Sequence, residues 1–588
     1  MILVLVIIIL STASYAATPL YVDPTATDDT GSGLIGDPKK TISAAYAAVD
    51  DGGVVKLVDA GTYNDASQIW GITIAAKSVT IEPAAAGGRI TITRESEGAT
   101  SLWWYVSSDR TGYNTTFNNI DFVDERSGAG IFYWASDSGH NFICDTCSLT
   151  VASGARVLNS ANSPNVTYER RFQATDCTFN VDNTNTPFNF RGMTLVDING
   201  GSFANPSTST TLRMMRVTDA IGPTYFRNIT FTAKYPLWIE SYNSSNTVTF
   251  IEDCTFTDVT EQKGTAAGLG PLGPETPSTN TVEGVVLTGN KIVGFDIGIQ
   301  DTANTTHITD NIFDCSDSIL FFGTYKPYIK NNTFVVKANT GAGDTPDRSI
   351  MFGRNWMSDY TVKANTTFTA TTVVSSAAWN LAHAVADDMS IVGITSTNTG
   401  TPLLLYYGLI TIVNDGTDTV TVAKWIDVSN GNVVTPADAT YHAIALKWST
   451  GAYVINNIMD GALGTGIFTF DFNPVPGDHI MDYNCYVAGS NGFSNLGSTS
   501  QADLSALQAK WAAWPMDTYG LAGKAGSWYV SPLTSNDENS LEEDPLLDDD
   551  YVPHNLALKL DDNTWIGGVQ PVAGDGSSGA LYNGYFNN

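Results

Sequence analysis

Arg156, Arg191, Arg213 and Arg216 sit in the middle of the chain between two tryptophans, Trp134 before them and Trp238 after. Guanidinium groups present forked donors that match carboxylates, and aromatic faces stack on sugar rings. Together they suit a uronic-acid polymer. Eliminative cleavage of such a polymer needs three acts: neutralising the uronate carboxylate, removing the adjacent proton and protonating the leaving oxygen. Arg191, Arg213 and Arg216 are candidates for the first. For the second, a lysine or histidine suits better than an arginine, which stays protonated; the six histidines are scattered, and His140 alone is near the early repeats. Hydrolysis would instead need two carboxylates flanking one bond, and Glu240 is the one acid in the expected outward column of the arginine-rich repeats. The competing reading is structural, with the arginines pairing to Asp and Glu on neighbouring turns.

The elements that position these residues are set by a recurring four-residue signature. It reads NIDF at Phe122, TCSL at Leu149, DCTF at Phe179, GGSF at Phe203, NITF at Phe231 and DCTF at Phe256. It continues as GNKI at Ile292, DNIF at Phe313, NNTF at Phe334, NTTF at Phe368 and NNIM at Met459. Most steps between copies lie in the twenties and thirties, the spacing of a solenoid whose units differ in loop length. Between copies stand short β-branched and aromatic runs such as PLWIE and DIGIQ, broken by Asn, Gly, Asp and Ser, so each unit is strand and turn. The fold class expected is an all-β solenoid. Strand alternation then predicts an outward column of Phe132 and Trp134, Arg156, Asn189 and Arg191, Arg213 and Met215, and Trp238 and Glu240. It continues through Gln300, Leu320 and Met351.

The opening YVDP, the helix-forming GDPKKTISAA and the strand VVKLVDAGTY resemble the start of right-handed parallel β-helix proteins of the pectin-lyase-like superfamily. The resemblance implies a right-handed single-stranded β-helix with an N-terminal capping helix and a polysaccharide ligand. It also implies that an Arg or Lys serves as base, which points to Arg213 and Lys234. On that reading Arg191, Arg213, Lys234 and Glu240 are catalytic, and Trp134, Arg156, Arg216 and Trp238 bind substrate. No DD-plus-GHG arrangement of the polygalacturonase type, Asp-rich calcium motif of the pectate-lyase type or methylesterase motif is present, so the resemblance implies fold and substrate class more than a catalytic set.

Around this core the sequence divides into a secretory signal at 1–16 (MILVLVIIIL, then small residues before Ala17) and a β-helix with its cap at 17–370. A small inserted β-domain follows at 371–447, then the last rungs with a C-terminal cap at 448–588. With 29 basic against 60 acidic residues the net charge is −31, a field that repels nucleic acid and anionic membrane. No later apolar run is long enough to span a bilayer, so export to the cell surface or medium is expected. Cys147, Cys177 and Cys254 share one column of the repeat and read as buried thiols. The Cys144–Cys147 CxxC has no second pair to make a zinc site. The run Glu542 to Asp550 offers oxygens to calcium or forms a solvated turn. The class alternative is a non-catalytic adhesin, surface-layer protein or virion fibre using the solenoid as a stalk, for which a homotrimer is compatible.

Overall fold

The first residue of the signature in each rung is a corner. Asn119, Thr146, Asp176, Asn228, Asp253, Asp310, Asn331 and Asn456 all have φ between 50 and 60°, and Gly200 and Gly289 take the same place with φ 76 and 71°. Left-handed backbone is easy for glycine and tolerated by Asn and Asp. That is why the first letter is polar or glycine. After the bend the second residue points in, the third out and the fourth in, as Ile120, Asp121 and Phe122 do.

The computed structural model describes residues 18–565 with breaks, the longest at 270–283, 337–347, 375–389 and 514–538; the expected secretory signal and residues 566–588 lie outside the described residues. The fourth residues form one buried column. Phe122 pairs with Leu149, Leu149 with Phe179, Phe179 with Phe203, Phe203 with Phe231 and Phe231 with Phe256. Ile292, Phe313, Phe334 and Met459 carry it on. The phenyl rings stack face to face, with centroids 4.1 Å apart for Phe179–Phe203 and 4.7 Å for Phe231–Phe256. Phe334 pairs directly with Met459, so NTTF at Phe368 is not a rung. Phe368 lies on an antiparallel strand opposite Val373, and four letters alone do not select a rung.

Strands fall on three parallel faces, shown by Asn114–Asn118 on face A, Ile120–Asp124 on face B and Gly130–Trp134 on face C. Each pairs in parallel with its equivalents on adjacent rungs. Arg170–Val181 and Leu195–Ala204 pass through the A–B corner as single strands. The protein is therefore an all-β solenoid built of long parallel sheets. A cluster of buried hydrophobic residues runs inside it from Val22 to Leu507.

The second signature residues make a ladder of their own. In the early rungs they include Cys147, Cys177 and Cys254, and all six cysteines of the chain are buried and unbridged. From Asn290 onward they are asparagines. The Asn290 amide donates to Asn311 Oδ1 at 2.9 Å and to the Ile251 carbonyl at 2.8 Å, and Asn311, Asn332 and Asn457 repeat the pattern. A buried amide is tolerated because its donors and acceptor are used.

Two helices are described. Helix α1 (Ile42–Ala48) buries Ile42, Ala45 and Tyr46, is N-capped by Thr41, and packs Tyr46 edge-on to Trp104 at 5.6 Å. Helix α2 is Leu504–Ala513, whose first N–H donates to Glu542. No helix among the described residues is long and apolar enough to cross a membrane. Strands from Lys363–Phe368 to Tyr441–Trp448 pair antiparallel. The strand Arg348–Trp356 joins both arrangements: Ile350 pairs in parallel with Ile319 and Phe468, while Arg354 lies antiparallel to Trp448.

Candidate functional site

Face C carries the candidate residues, and its facing is decided at the turn from face B. There two successive residues point inward: Ile131 and Phe132, Val157 and Leu158, Pro187 and Phe188, Met214 and Met215, Pro236 and Leu237. Alternation restarts after each doublet. The outward column is accordingly Tyr105, Tyr133, Asn159, Asn189, Arg216 and Trp238, each paired with the next. It continues through Gly268, Gln300, Leu320 and Met351.

This corrects part of the expected facing. Phe132, Trp134 and Met215 are inward and fully buried. Trp134 cannot meet a ligand; its indole N–H donates to the His140 carbonyl at 3.2 Å. The doublets IF, VL, PF, MM and PL were visible in the sequence and are the signal that would have set the register.

The arginines share face C but not one column. Arg156 opens its strand opposite Gly130, Arg216 stands in the outward column, and Arg191 lies two residues beyond it, opposite Thr218. Arg191 Nε is 3.5 Å from Asp219 Oδ2, whose side chain is fully buried while that of Arg191 is 18% exposed. Arg213 is 8% exposed and lays its guanidinium 4.4 Å from the centre of the Trp238 ring, which is 3% exposed. The Trp238 face expected to stack on sugar is thus covered by an arginine. Lys234 is 6% exposed, with its ammonium 5.5 Å from the Tyr235 ring. The Glu240 backbone pairs with Thr218; its side chain lies outside those described. Arg191 thus pairs with an acid on the neighbouring turn, while Arg213 lies against an aromatic ring.

What the column leaves at the surface is a run of partly exposed polar and aromatic groups. The Tyr105 and Tyr133 rings are 5.6 Å apart and tilted by 37°, and the Asn189 amide donates to Asn159 Oδ1 at 3.4 Å. Among the described residues no three His, Cys, Asp or Glu side chains converge to hold a metal. In the Glu542–Asp550 turn, Asp544 and Asp548 accept from the amides of Leu546 and Asp550.

Fold and column together define a β-solenoid with an outward polar and aromatic ladder on one face. No protein-family model matches the sequence, and no curated protein matches it. Two crystal structures of a GH136 lacto-N-biosidase from Eubacterium ramulus are similar to it. The selenomethionine derivative and the native protein give TM-scores of 0.28 and 0.26, each at 10% identity over 54% of this chain. The match spans 64% of that enzyme's chain. A likeness that slight assigns neither fold nor activity.

Proposed function

We propose that this chain is an exported right-handed parallel β-helix of the pectin-lyase-like kind that binds an acidic polysaccharide along face C. In this reading α1 caps the first rungs and the antiparallel strands form an inserted domain. One observation carries the reading: the unbroken outward column from Tyr105 to Trp238, flanked by Arg156 and Arg191 and containing Arg216. Side chains repeat along it at one strand spacing, about 4.8 Å, a pitch that suits an extended glycan. Amides, phenols and guanidinium groups supply hydrogen bonds to hydroxyls and carboxylates.

Binding is better supported than β-elimination. The two base candidates, Arg213 and Lys234, are more than nine-tenths buried and set against aromatic rings. Arg191 is a poor probe of binding, because removing it takes an ion-pair partner from the buried carboxylate of Asp219 and mixes stability into the result. Arg216 is the better one. Polygalacturonate should bind the wild type and bind Arg216→Ala about tenfold more weakly, without release of unsaturated product absorbing near the ultraviolet edge. Absorbance growing with time would restore the lyase reading, and no binding by any uronate polymer would leave the stalk.

A further inference from the structure

A second concavity lies away from face C, on face B. Its outward column runs Val123, Thr150, Asn180 and Ala204, each paired with the next. These side chains are small for four successive rungs, and beside them the surface sinks into a cavity of about 460 Å³. Asp124 and Glu125 stand at one end, Thr150 and Asn180 along it, and Ala204 at the other. Asp124 Oδ2 accepts from the buried Trp103 indole N–H at 3.0 Å, which fixes that carboxylate, while Glu125 is exposed. No lysine or arginine is among the described lining residues.

We infer that this groove is a second carbohydrate subsite, selective for uncharged sugar units. The inference takes from the proposed function only the ligand class. The groove runs along the solenoid axis for three strand spacings, about 14 Å, which fits an extended chain of small rings rather than a compact ligand. Valine and alanine give its floor C–H surface for ring faces. Carboxylate, hydroxyl and amide groups accept from and donate to ring hydroxyls, and a hydroxyl-to-carboxylate bond is of the stronger, charge-assisted kind. The exposed Glu125 carboxylate repels a uronate. Face C and the groove thus have opposite charge preference, as a protein reading a heteropolysaccharide with both acidic and neutral units requires.

The test titrates the full chain with a panel of neutral hexaoses (gluco-, manno-, galacto- and N-acetylchito-) and with hexagalacturonate as the counter-probe. At least one neutral hexaose should bind. Ala204→Phe, which fills the groove, should weaken it tenfold or more, and Asn180→Ala, an exposed position that leaves the core untouched, about threefold. Arg216→Ala should leave neutral binding unchanged. Neutral binding insensitive to both groove variants, or no neutral binding at all, overturns the subsite. If hexagalacturonate binding persists and responds only to Arg216→Ala, face C stands and the groove falls. Neutral binding lost in the groove variants with no hexagalacturonate binding gives the reverse. Hexagalacturonate displaced by Ala204→Phe would overturn the charge selectivity.

Discussion

At the scale of residues, the asparagine ladder is the clearest case of sequence chemistry made structural. Asn332 accepts from the Asn311 backbone N–H at 2.9 Å and donates to the Ile308 and Lys330 carbonyls and to Asn457 Oδ1. Asn332→Ala strands several buried groups at once, and each such group costs about 1–3 kcal/mol. Calorimetry should show a loss of about 3 kcal/mol; an unchanged melting temperature would mean the ladder is incidental. His140 makes a second test. Its ring is buried, touches the Thr115 hydroxyl at 3.0 Å, and burial lowers its pKa to about 3. The unfolded chain takes up a proton near pH 6.5 while the folded chain does not, so stability present at neutral pH is lost as pH falls from about 6.5 towards 3. The slope from this one group is up to about 1.4 kcal/mol per pH unit. His140→Gln should flatten stability over that window, and an identical pH profile would contradict the assignment. The thiols follow the same logic: burial pushes those of Cys254 and Cys485 up to about 12. Thiol titration should find six reactive groups in denaturant and almost none in the native protein.

At the scale of elements, the signature is a corner followed by an inward ladder, and this explains how much of the fold was legible. The column from Phe122 to Met459 could be read because a loop absorbs extra residues without disturbing an inward position. Phe368 was misread because its NTTF has the letters on a strand that pairs antiparallel. Facing on face C could not be read from alternation alone, because the entry doublets reset the parity; Trp238 and Asn189 were placed correctly and Trp134 was not. A tertiary contact invisible to local pattern lies at the C-terminus. Leu541 pairs with Cys485, Leu541 and Leu547 pack on Ile458 and Cys485, and the Tyr551 hydroxyl donates to Asp314 while Lys291 stands 5.1 Å from its ring. The segment thereby ties the last rung to rungs that precede the antiparallel strands. Tyr551→Phe keeps the ring and removes the hydrogen bond. It should raise amide exchange across 540–551 by about tenfold, equivalent to about 1.4 kcal/mol, with the early rungs unchanged; equal protection in both proteins would show that the latch does not hold the segment.

At the scale of the whole molecule, a net charge of −31 is carried on a scaffold whose faces differ in character. On face A the outward aromatics stack on one another, as Tyr225–Phe250 at 5.0 Å and Tyr328–Tyr453 at 5.6 Å do. Their faces are occupied by each other, so this ladder stiffens the solenoid and is a poor sugar platform. Face C differs in that its column mixes phenols, amides and a guanidinium. The candidate site was legible as a region and not as a set: Arg191, Arg213 and Arg216 were found by residue type, while their partners Asp219 and Trp238 are brought to them by stacking of rungs that no local spacing reports. Oligogalacturonate titration by calorimetry of the wild type, of Tyr133→Ala/Asn189→Ala/Arg216→Ala on face C, and of Thr288→Ala/Thr309→Ala on face A tests the central claim most directly. The account predicts affinity that falls with added salt and is lost by at least tenfold in the face C variant alone. Equal affinity in all three proteins, or none in the wild type, would contradict it.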